Sequence, residues 1–386
     1  MTKELSVFPE NNIYRKYITA FFCVAFLIIP IFVSAVDYGK YIEELKQYFL
    51  RLDAELEEHE RYFKRDNQNG GLTWQDSKIL LAYVKLYERT GEPWILQKSV
   101  KLSNDLLSFR DDETGTEDFW GKTTPTWSCE RYTAGNRYSH IVHSGMILYP
   151  IVRLAFILKA GGVHHLNLQR ENFITKAEET VLYHEFQWNN ETGCYEFRED
   201  AAFLSYPGES LPFNQQAAFG RVLLFLYLFT ENELYKNRAI KLVDFIKENF
   251  QLNNEAYGWQ YRNTPFSRVE DIGHAGLIID FLALCHKYNI AVTDVDIQRL
   301  VSTYKKNVFR FNTKPSRYIN GTGQGHELSL PGWLMLSFWD RTIYDETARY
   351  FFEYKLFENI KCSGRYFQAI SNFIYYAPFD ITGIRK

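Results

Sequence analysis

Two kinds of helical pattern alternate along this chain. In the first kind, apolar residues recur every three or four positions and charged residues fill the remaining face, as in residues 41–64. Striped segments of this kind also begin near residues 94, 168, 233, 293 and 343. The second kind is apolar on all sides, and its segments open near residues 76, 143, 215, 271, 327 and 366. Because striped helices suit a surface and wholly apolar helices suit an interior, the pattern predicts an all-α fold with six outer and six inner helices.

Repeated helical hairpins form either an open solenoid or a closed ring. An open solenoid normally needs polar helices at both ends, whereas the last predicted helix, residues 366–377, is apolar and aromatic. The striped helix at residues 41–64 can pack beside that last helix and supply the missing outer partner. We therefore expect one domain, residues 36–386, folded as a closed (α/α)6 toroid of about twelve helices, with the long loops before the inner helices on one face.

The first 35 residues have the composition of a signal peptide. Arg15 and Lys16 precede an apolar run at residues 20–33, and Val33-Ser34-Ala35 has the small residues that signal peptidase requires. The run is shorter than a membrane span of about 20 residues, and Pro30 interrupts it. We expect cleavage after Ala35 and export to the periplasm or the cell exterior. Without cleavage, residues 20–33 would anchor the chain in the membrane.

Composition narrows the range of functions. The 386-residue chain has a formal net charge of −3 and no block of Lys and Arg, which argues against nucleic-acid binding because that needs cations to neutralise phosphates. Aromatic residues make up 17% of the sequence, more than a core requires, and the faces of Tyr and Trp can stack on sugar rings. The cysteines beyond residue 35 form no CxxC motif, so we expect free thiols rather than a disulfide framework.

Two adjacent carboxylates open one of the inner helices. Glu270 and Asp271 precede its apolar run, and His274 follows one turn later on the same face, because positions three and four apart are neighbours on a helix. In a ring, Asp76 at the opening of the first inner helix would lie across the mouth from this cluster. We predict Asp76, Glu270, Asp271 and His274 as catalytic residues, although an acid at a helix N-terminus is also a common cap.

The loops before the inner helices supply further polar and aromatic side chains to the same face. Two of these loops, residues 110–139 and 189–213, are longer than structural connections usually are. The residues that we predict to bind substrate are Trp74, Trp127, Arg131, Tyr138, His140, His143, Tyr206, Asn214, Gln215, Trp259, Tyr261, Arg268, His326 and Glu327.

The hairpin spacing, the aromatic loops and the acidic openings of the inner helices together resemble the six-hairpin glycosidase superfamily, whose members are (α/α)6 toroids. The resemblance spans residues 41–377 and concerns architecture, because no single motif is diagnostic and a fold does not fix a function. It implies an exported carbohydrate-active enzyme whose partner is an oligosaccharide or polysaccharide.

Several reactions fit such a site. In glycoside hydrolysis, the favoured one, one carboxylic acid protonates the leaving oxygen and a second carboxylate activates water. The first alternative is a polysaccharide lyase or uronate C5-epimerase that acts on uronate-containing glycans, with a His or Tyr base and a polar group that neutralises the substrate acid. The second is a glycan-binding protein without catalysis.

A metal site is the remaining possibility. His140 and His143 lie three positions apart and could bind zinc together with Asp271 and His274. Each His alone is more often a hydrogen-bonded structural residue, so we expect no metal and no other cofactor.

Overall fold

The computed structural model describes residues 38–58, 67–310 and 313–378. The predicted signal segment, residues 1–35, lies outside the described residues. Ile42–Lys386 forms one compact unit, and the features reported below belong to its described part. Of the other unit, Met1–Tyr41, the structure describes only the first turn of a helix.

Twelve long helices follow one another through the described residues, and short turns and two small antiparallel hairpins connect them. The helices are α1 Tyr38–Glu58, α2 Leu72–Asp76 (a π-helical turn) with Ser77–Thr90, α3 Pro93–Ser108, α4 Ile141–Ala160, α5 Asn167–Tyr183, α6 Phe213–Thr230, α7 Glu233–Glu248, α8 Ile272–Lys287, α9 Asp294–Thr303 with Tyr304–Val308, α10 Glu327–Phe338 (a 3-10 helix), α11 Thr342–Glu353 and α12 Gly364–Tyr375. The hairpins are β1 Trp188–Asn189 with β2 Cys194–Tyr195, and β3 Gln251–Asn253 with β4 Ala256–Gly258.

The six even-numbered helices form a closed inner ring. Each packs on the next, from α2 through α4, α6, α8 and α10 to α12, and α12 packs back on α2. Helix α1 closes the outer layer where the sequence predicts it, because Phe49 contacts Tyr83 of α2 and Phe367 of α12 with ring centroids 5.2 and 5.3 Å apart. The predicted all-α (α/α)6 toroid is confirmed.

Helix α4 illustrates why the inner helices are apolar on every side. By length and composition it could cross a membrane, yet 89% of its apolar window is buried inside the protein. A Cβ atom at Gly145 would lie 2.7 Å from the backbone carbon of Ala218, so only glycine lets α4 and α6 approach this closely. The apolar surface of α4 is therefore covered by protein.

The loops that precede the inner helices meet on one face of the ring. The backbone N–H of Glu130 donates to Gln68, that of Phe213 to Tyr261, and that of Ile272 to Arg317. Each bond joins the loop or opening of one inner helix to the loop before a neighbouring inner helix. The face on which these loops meet carries the site described next.

Candidate functional site

A pocket of about 280 Å³ lies at the N-terminal ends of four inner helices, α2, α4, α6 and α8. Aromatic rings, amides, histidines and arginines form most of its wall. The lining residues are Trp74, Tyr132, His140, Val142, Phe197, Leu204, Ser205, Tyr206, Pro212, Asn214, Gln215, Tyr261, Arg262, Arg268 and His274. No Asp or Glu is among the described residues that line it.

Asp271 caps helix α8 and holds His274 in place. Its Oδ1 accepts hydrogen bonds from the backbone N–H groups of Gly273 and His274, at 3.0 and 2.9 Å, which satisfies two of the N–H groups that a helix start leaves open. Its Oδ2 lies 2.7 Å from His274 Nδ1. Burial alone would raise the pKa of Asp271, but His274 and the backbone donors outweigh it and lower the pKa to about 2. Both oxygens are therefore engaged within the helix start.

Glu270 lies behind this pair and is fully buried. Its Oε1 accepts the backbone N–H of Asp271 at 3.0 Å and lies 3.5 Å from His274 Nδ1. Its Oε2 has no hydrogen-bond partner among the described residues. Burial raises the pKa of Glu270 to about 7 despite the attraction of His274, so about half of these carboxyl groups carry a proton at neutral pH.

His274 is the member of this cluster that faces the pocket. Burial alone would lower its pKa, but the ion pairs with Asp271 and Glu270 outweigh that effect and raise the pKa to about 9. The ring of Tyr261 packs against the imidazole with centroids 5.5 Å apart and an interplanar angle of 35°. Burial, together with Glu270, raises the pKa of Tyr261 to about 12. At neutral pH the pocket thus contains a protonated His beside an un-ionised Tyr.

His140 is the second histidine of the pocket and has the opposite protonation state. Its Nε2 lies 3.0 Å from the carbonyl oxygen of Arg131, and because a carbonyl oxygen only accepts, Nε2 carries the proton and Nδ1 keeps a lone pair. Burial lowers the pKa of His140 to about 4. At neutral pH this imidazole is uncharged and can act as a base.

Arginines stack on the aromatic rings around the pocket. The guanidinium carbon of Arg262 lies 3.6 Å from the ring centre of Tyr206, and that of Arg268 lies 4.6 Å from that of Tyr261. Arg131 lies 6.0 Å from the ring centre of Trp74, at the rim. These contacts give the wall both flat apolar faces and positive charge.

The structure brings eight of the predicted site residues together as lining residues: Trp74, His140, Tyr206, Asn214, Gln215, Tyr261, Arg268 and His274. Arg131, Glu270 and Asp271 contact lining residues without lining the pocket themselves. Tyr138 and His143 do so as well, because both pack against His140. Whether any of them binds or transforms a substrate stays a prediction.

The other predicted site residues do not line the pocket: Asp76, Trp127, Tyr138, His143, Trp259, His326 and Glu327. The structure gives Trp127 a structural position, because it is fully buried and its indole N–H donates to the Leu106 carbonyl oxygen at 2.8 Å. Tyr138 packs in an apolar cluster with Ala201 and Leu204. His143 is buried with Nδ1 3.4 Å from the sulfur of Cys129.

Other lining residues were not predicted from the sequence, among them Tyr132, Phe197, Ser205 and Arg262. They lie in the loops, where no periodic pattern indicates which way a side chain points. Arg262 is buried, and its Nη2 lies 2.5 Å from Glu209 Oε2. The sequence does not show that Arg262 is buried, because the carboxylate that pairs with it is distant along the chain.

Three ligand-type atoms of Glu270, Asp271 and His274 lie within 4.8 Å of one another. The donor set is of a kind that divalent metals accept. Hydrogen bonds from backbone N–H groups at the start of α8 already use Asp271 Oδ1 and Glu270 Oε1. We assign no metal to this cluster.

No protein-family model matches the sequence, and the search among curated proteins found no match. Solved structures do match over most of the chain. The D-mannose isomerase structure aligns with a TM-score of 0.55 at 14% identity, covering 88% of this chain and 98% of that one. The cellobiose 2-epimerase of Bacillus thermoamylovorans B4167 aligns with a TM-score of 0.55 at 14% identity, covering 82% of this chain and 88% of that one.

A family 76 α-mannanase of Bacteroides thetaiotaomicron aligns with a TM-score of 0.51 at 13% identity, covering 89% of this chain and 96% of that one. Identities this low establish the shared fold and nothing finer. The chain has the six-hairpin glycosidase-like (α/α)6 architecture that the sequence resembles.

Proposed function

We propose that this protein is a carbohydrate-active enzyme that moves a proton at a sugar carbon next to a carbonyl group, as a sugar isomerase or epimerase does. One observation supports this most directly: His140 and His274 line the same pocket and have opposite protonation states at neutral pH. A neutral imidazole accepts a proton and a protonated imidazole donates one. Such a reaction needs one group of each kind.

The hydrogen bonds assign the atoms. Because Nε2 of His140 donates to a carbonyl oxygen, Nδ1 is the atom that accepts the substrate proton. Because Nδ1 of His274 lies against Asp271, Nε2 is the atom that donates to the substrate. The C–H bond next to the carbonyl breaks, its proton passes to His140, and the carbonyl oxygen takes a proton from His274, which gives an enediol. Return of the proton to the former carbonyl carbon, while the hydroxyl on the other carbon gives its proton to His274, yields an isomer. Return of a proton to the original carbon on its opposite face, while the former carbonyl oxygen gives its proton back to His274, yields an epimer.

The wall of the pocket suits a sugar. Trp74 and Tyr261 offer flat rings on which a pyranose face can stack. Asn214 Oδ1 is buried and accepts no hydrogen bond from a described residue, so it is free to accept one from a sugar hydroxyl. The volume of about 280 Å³ is close to the lower end of ligand pockets, roughly 300–1,000 Å³. This size suits a small saccharide or the end of a longer one.

The shared fold adds support. D-mannose isomerase and cellobiose 2-epimerase, by their names, rearrange sugars without cleaving them. Their alignment with this chain is consistent with the same class of reaction here. Export through residues 1–35 is a further part of the proposal and rests on the sequence alone.

Glycoside hydrolysis is the second candidate, and Glu270 is the observation that favours it. A carboxyl group with a pKa of about 7 suits a general acid. An α-mannanase also shares the fold. Glu270 lies behind His274 rather than in the wall of the pocket, so hydrolysis requires His274 to relay its proton.

A single experiment separates these reactions. The protein is incubated in D2O with D-mannose, with cellobiose and with an α-1,6-linked mannan oligosaccharide, and the products are followed by proton NMR. Proton transfer at carbon replaces the hydrogen at C2 by deuterium, whereas hydrolysis releases new reducing ends without exchange at carbon. We expect exchange at C2. Release of reducing ends alone would favour the hydrolase, and a lack of both reactions would refute the proposal for these sugars.

Two histidine variants complete the test. His140→Gln removes the proposed base, so we expect exchange to fall by roughly 10²–10⁴-fold, the usual contribution of a general base. His184→Gln is the matched control, because His184 is also buried and burial also lowers its pKa to about 4, but it does not line the pocket. Equal losses in both variants would mean that the effect is structural.

A further inference from the structure

Positive charge exceeds negative charge in the wall of the pocket. Arg262, Arg268 and His274 line it, and no Asp or Glu does so among the described residues. Two of these cations have a carboxylate close by: Arg262 lies 2.5 Å from Glu209, and His274 lies 2.7 Å from Asp271. Arg268 has no ion pair among the described residues, and Glu270 behind His274 adds a partial negative charge.

Arg268 is held in a position that leaves its donors available. Its guanidinium lies over the ring of Tyr261 at 4.6 Å from the centre, and no described carboxylate lies within salt-bridge distance of it. A guanidinium that stacks by its face keeps its in-plane N–H groups for a ligand. These groups form a fork that matches the two oxygens of a carboxylate or a phosphate.

Arg131 repeats the arrangement at the rim. Its guanidinium carbon lies 4.9 Å from the ring centre of Tyr132 and 6.0 Å from that of Trp74, and both rings line the pocket. One of its N–H groups reaches the carbonyl oxygen of Asn69 at 3.4 Å. No described carboxylate pairs with this side chain either. Arg268 and Arg131 therefore each lie over an aromatic ring of the pocket, and neither has a carboxylate partner among the described residues.

We propose that the saccharide bound here carries an oxyanion group, the carboxylate of a uronic acid or the phosphate of a sugar phosphate, and that Arg268 holds it with Arg131 as the second donor at the rim. The inference rests on the proposed function, because it names the substrate class of the same pocket. Arg268 and Arg131 are both exposed, and an anion bound beside these two guanidinium groups gains charge-assisted hydrogen bonds. A neutral sugar would leave these donors to water.

Binding measurements test this inference without requiring turnover. The affinities of the full chain for D-glucuronate, D-glucose 6-phosphate and D-glucose are measured by isothermal titration calorimetry at low and at high salt. We expect at least one anionic sugar to bind tenfold or more tightly than glucose, with an advantage that shrinks at high salt. Whichever anion binds more tightly identifies the source of the oxyanion.

Three variants test which arginine causes the preference for an anionic sugar. Arg268→Met keeps the length of the side chain and removes its charge, so the preference for the anion should fall at least tenfold while glucose binding changes little. Arg131→Met should give a smaller loss. Arg349→Met is the matched control, because Arg349 pairs with Glu353 on the outer helix α11 and does not line the pocket.

The outcomes separate this inference from the proposed function. Equal binding of glucose and both anions would overturn the anionic substrate and leave a sugar enzyme in place. The same conclusion follows if the preference survives both Arg268→Met and Arg131→Met. Binding of none of the three sugars by a folded protein, combined with no exchange in D2O, would overturn both proposals.

Discussion

The inner ring carries two groups of charged side chains, each with a buried carboxylate, and they behave in opposite ways. The pocket group consists of Glu270, Asp271 and His274 at the start of α8. The deep group lies further along the inner helices and consists of the buried residues Lys85, Arg153, Arg221 and Asp280, with Glu88 at its exposed end. In the deep group each carboxylate has a guanidinium: Arg221 lies 2.7 Å from Asp280, and Arg153 lies 2.6 Å from Glu88.

The comparison teaches that the number of nearby cations, rather than burial, decides how a carboxylate behaves. Burial alone would raise the pKa of Asp280, but Lys85 and Arg221 outweigh it and hold the pKa below its usual range. Glu270 is buried as deeply, yet it has only His274 to oppose burial, and its pKa rises to about 7. Carboxylates that are each paired with a guanidinium hold the inner helices together, whereas the carboxyl group of Glu270, with a pKa near neutral, can exchange its proton.

A substitution in the pocket group should have the largest effect of all, and that effect is on activity. His274→Gln removes the proposed proton donor, so the rate of exchange at sugar carbon should fall by roughly 10²–10⁴-fold. The free energy of unfolding at pH 7 should change little, by about 1 kcal/mol, the typical worth of a half-exposed ion pair. Exchange kinetics and urea denaturation measure the two quantities. A rate within tenfold of the wild type would place the acid elsewhere.

Substitutions in the deep group should change the free energy of unfolding rather than the activity. Asp280→Asn leaves Arg221 as a buried charge without its carboxylate, which should lower the free energy of unfolding by about 3–5 kcal/mol. Asp271→Asn is the matched control on the same helix, and it should cost only about 1 kcal/mol because Asn caps a helix nearly as well as Asp. Equal costs at the two positions in urea denaturation would contradict the distinction.

Glu270 should make stability depend on pH. Because its folded pKa is raised from 4.5 to about 7, the stability that it contributes is complete below pH 4.5 and is lost as the pH rises through 7. The loss amounts to about 3 kcal/mol. We expect Glu270→Gln to remove that part of the decline, as measured by urea denaturation at pH 4.5 and 7.5.

The control for this prediction is Glu88→Gln in the deep group. Arg153 outweighs burial and lowers the pKa of Glu88, so its contribution to stability is present above pH 4.5 and is lost as the pH falls. The substitution should destabilise the protein at pH 7.5 rather than flatten its pH dependence. The same response to both substitutions would show that the two groups do not differ.

The smallest expected effect is the shape of the pH–rate profile. The rate should decline below about pH 4, where His140 gains a proton, and above about pH 9, where His274 loses one. Each limb should fall about tenfold per pH unit. Asp271→Asn removes the carboxylate that raises the pKa of His274, so the alkaline limb should move to lower pH. If the alkaline decline stays at the same pH in this variant, a group other than His274, such as Tyr261, causes it.

Sequence alone determined the ring. Striped and wholly apolar helices cannot exchange places without exposing apolar surface, so the alternation from residue 41 to residue 377 fixed the order of outer and inner helices, and the aromatic last helix indicated closure. It also located the cluster at Glu270, Asp271 and His274, because helical spacing places these residues on one face.

Only the tertiary structure decided which of those residues faces the pocket. The cap at Asp271 and the burial of Glu270 leave His274 as the exposed member. The cap is local in sequence, but the burial of Glu270 depends on residues that are distant along the chain. The loops were equally undetermined, since Trp127 and Tyr138 turn into the core while Arg262 turns to the pocket. The physical reason is that a loop side chain takes its direction, and a buried group its pKa, from partners distant in sequence.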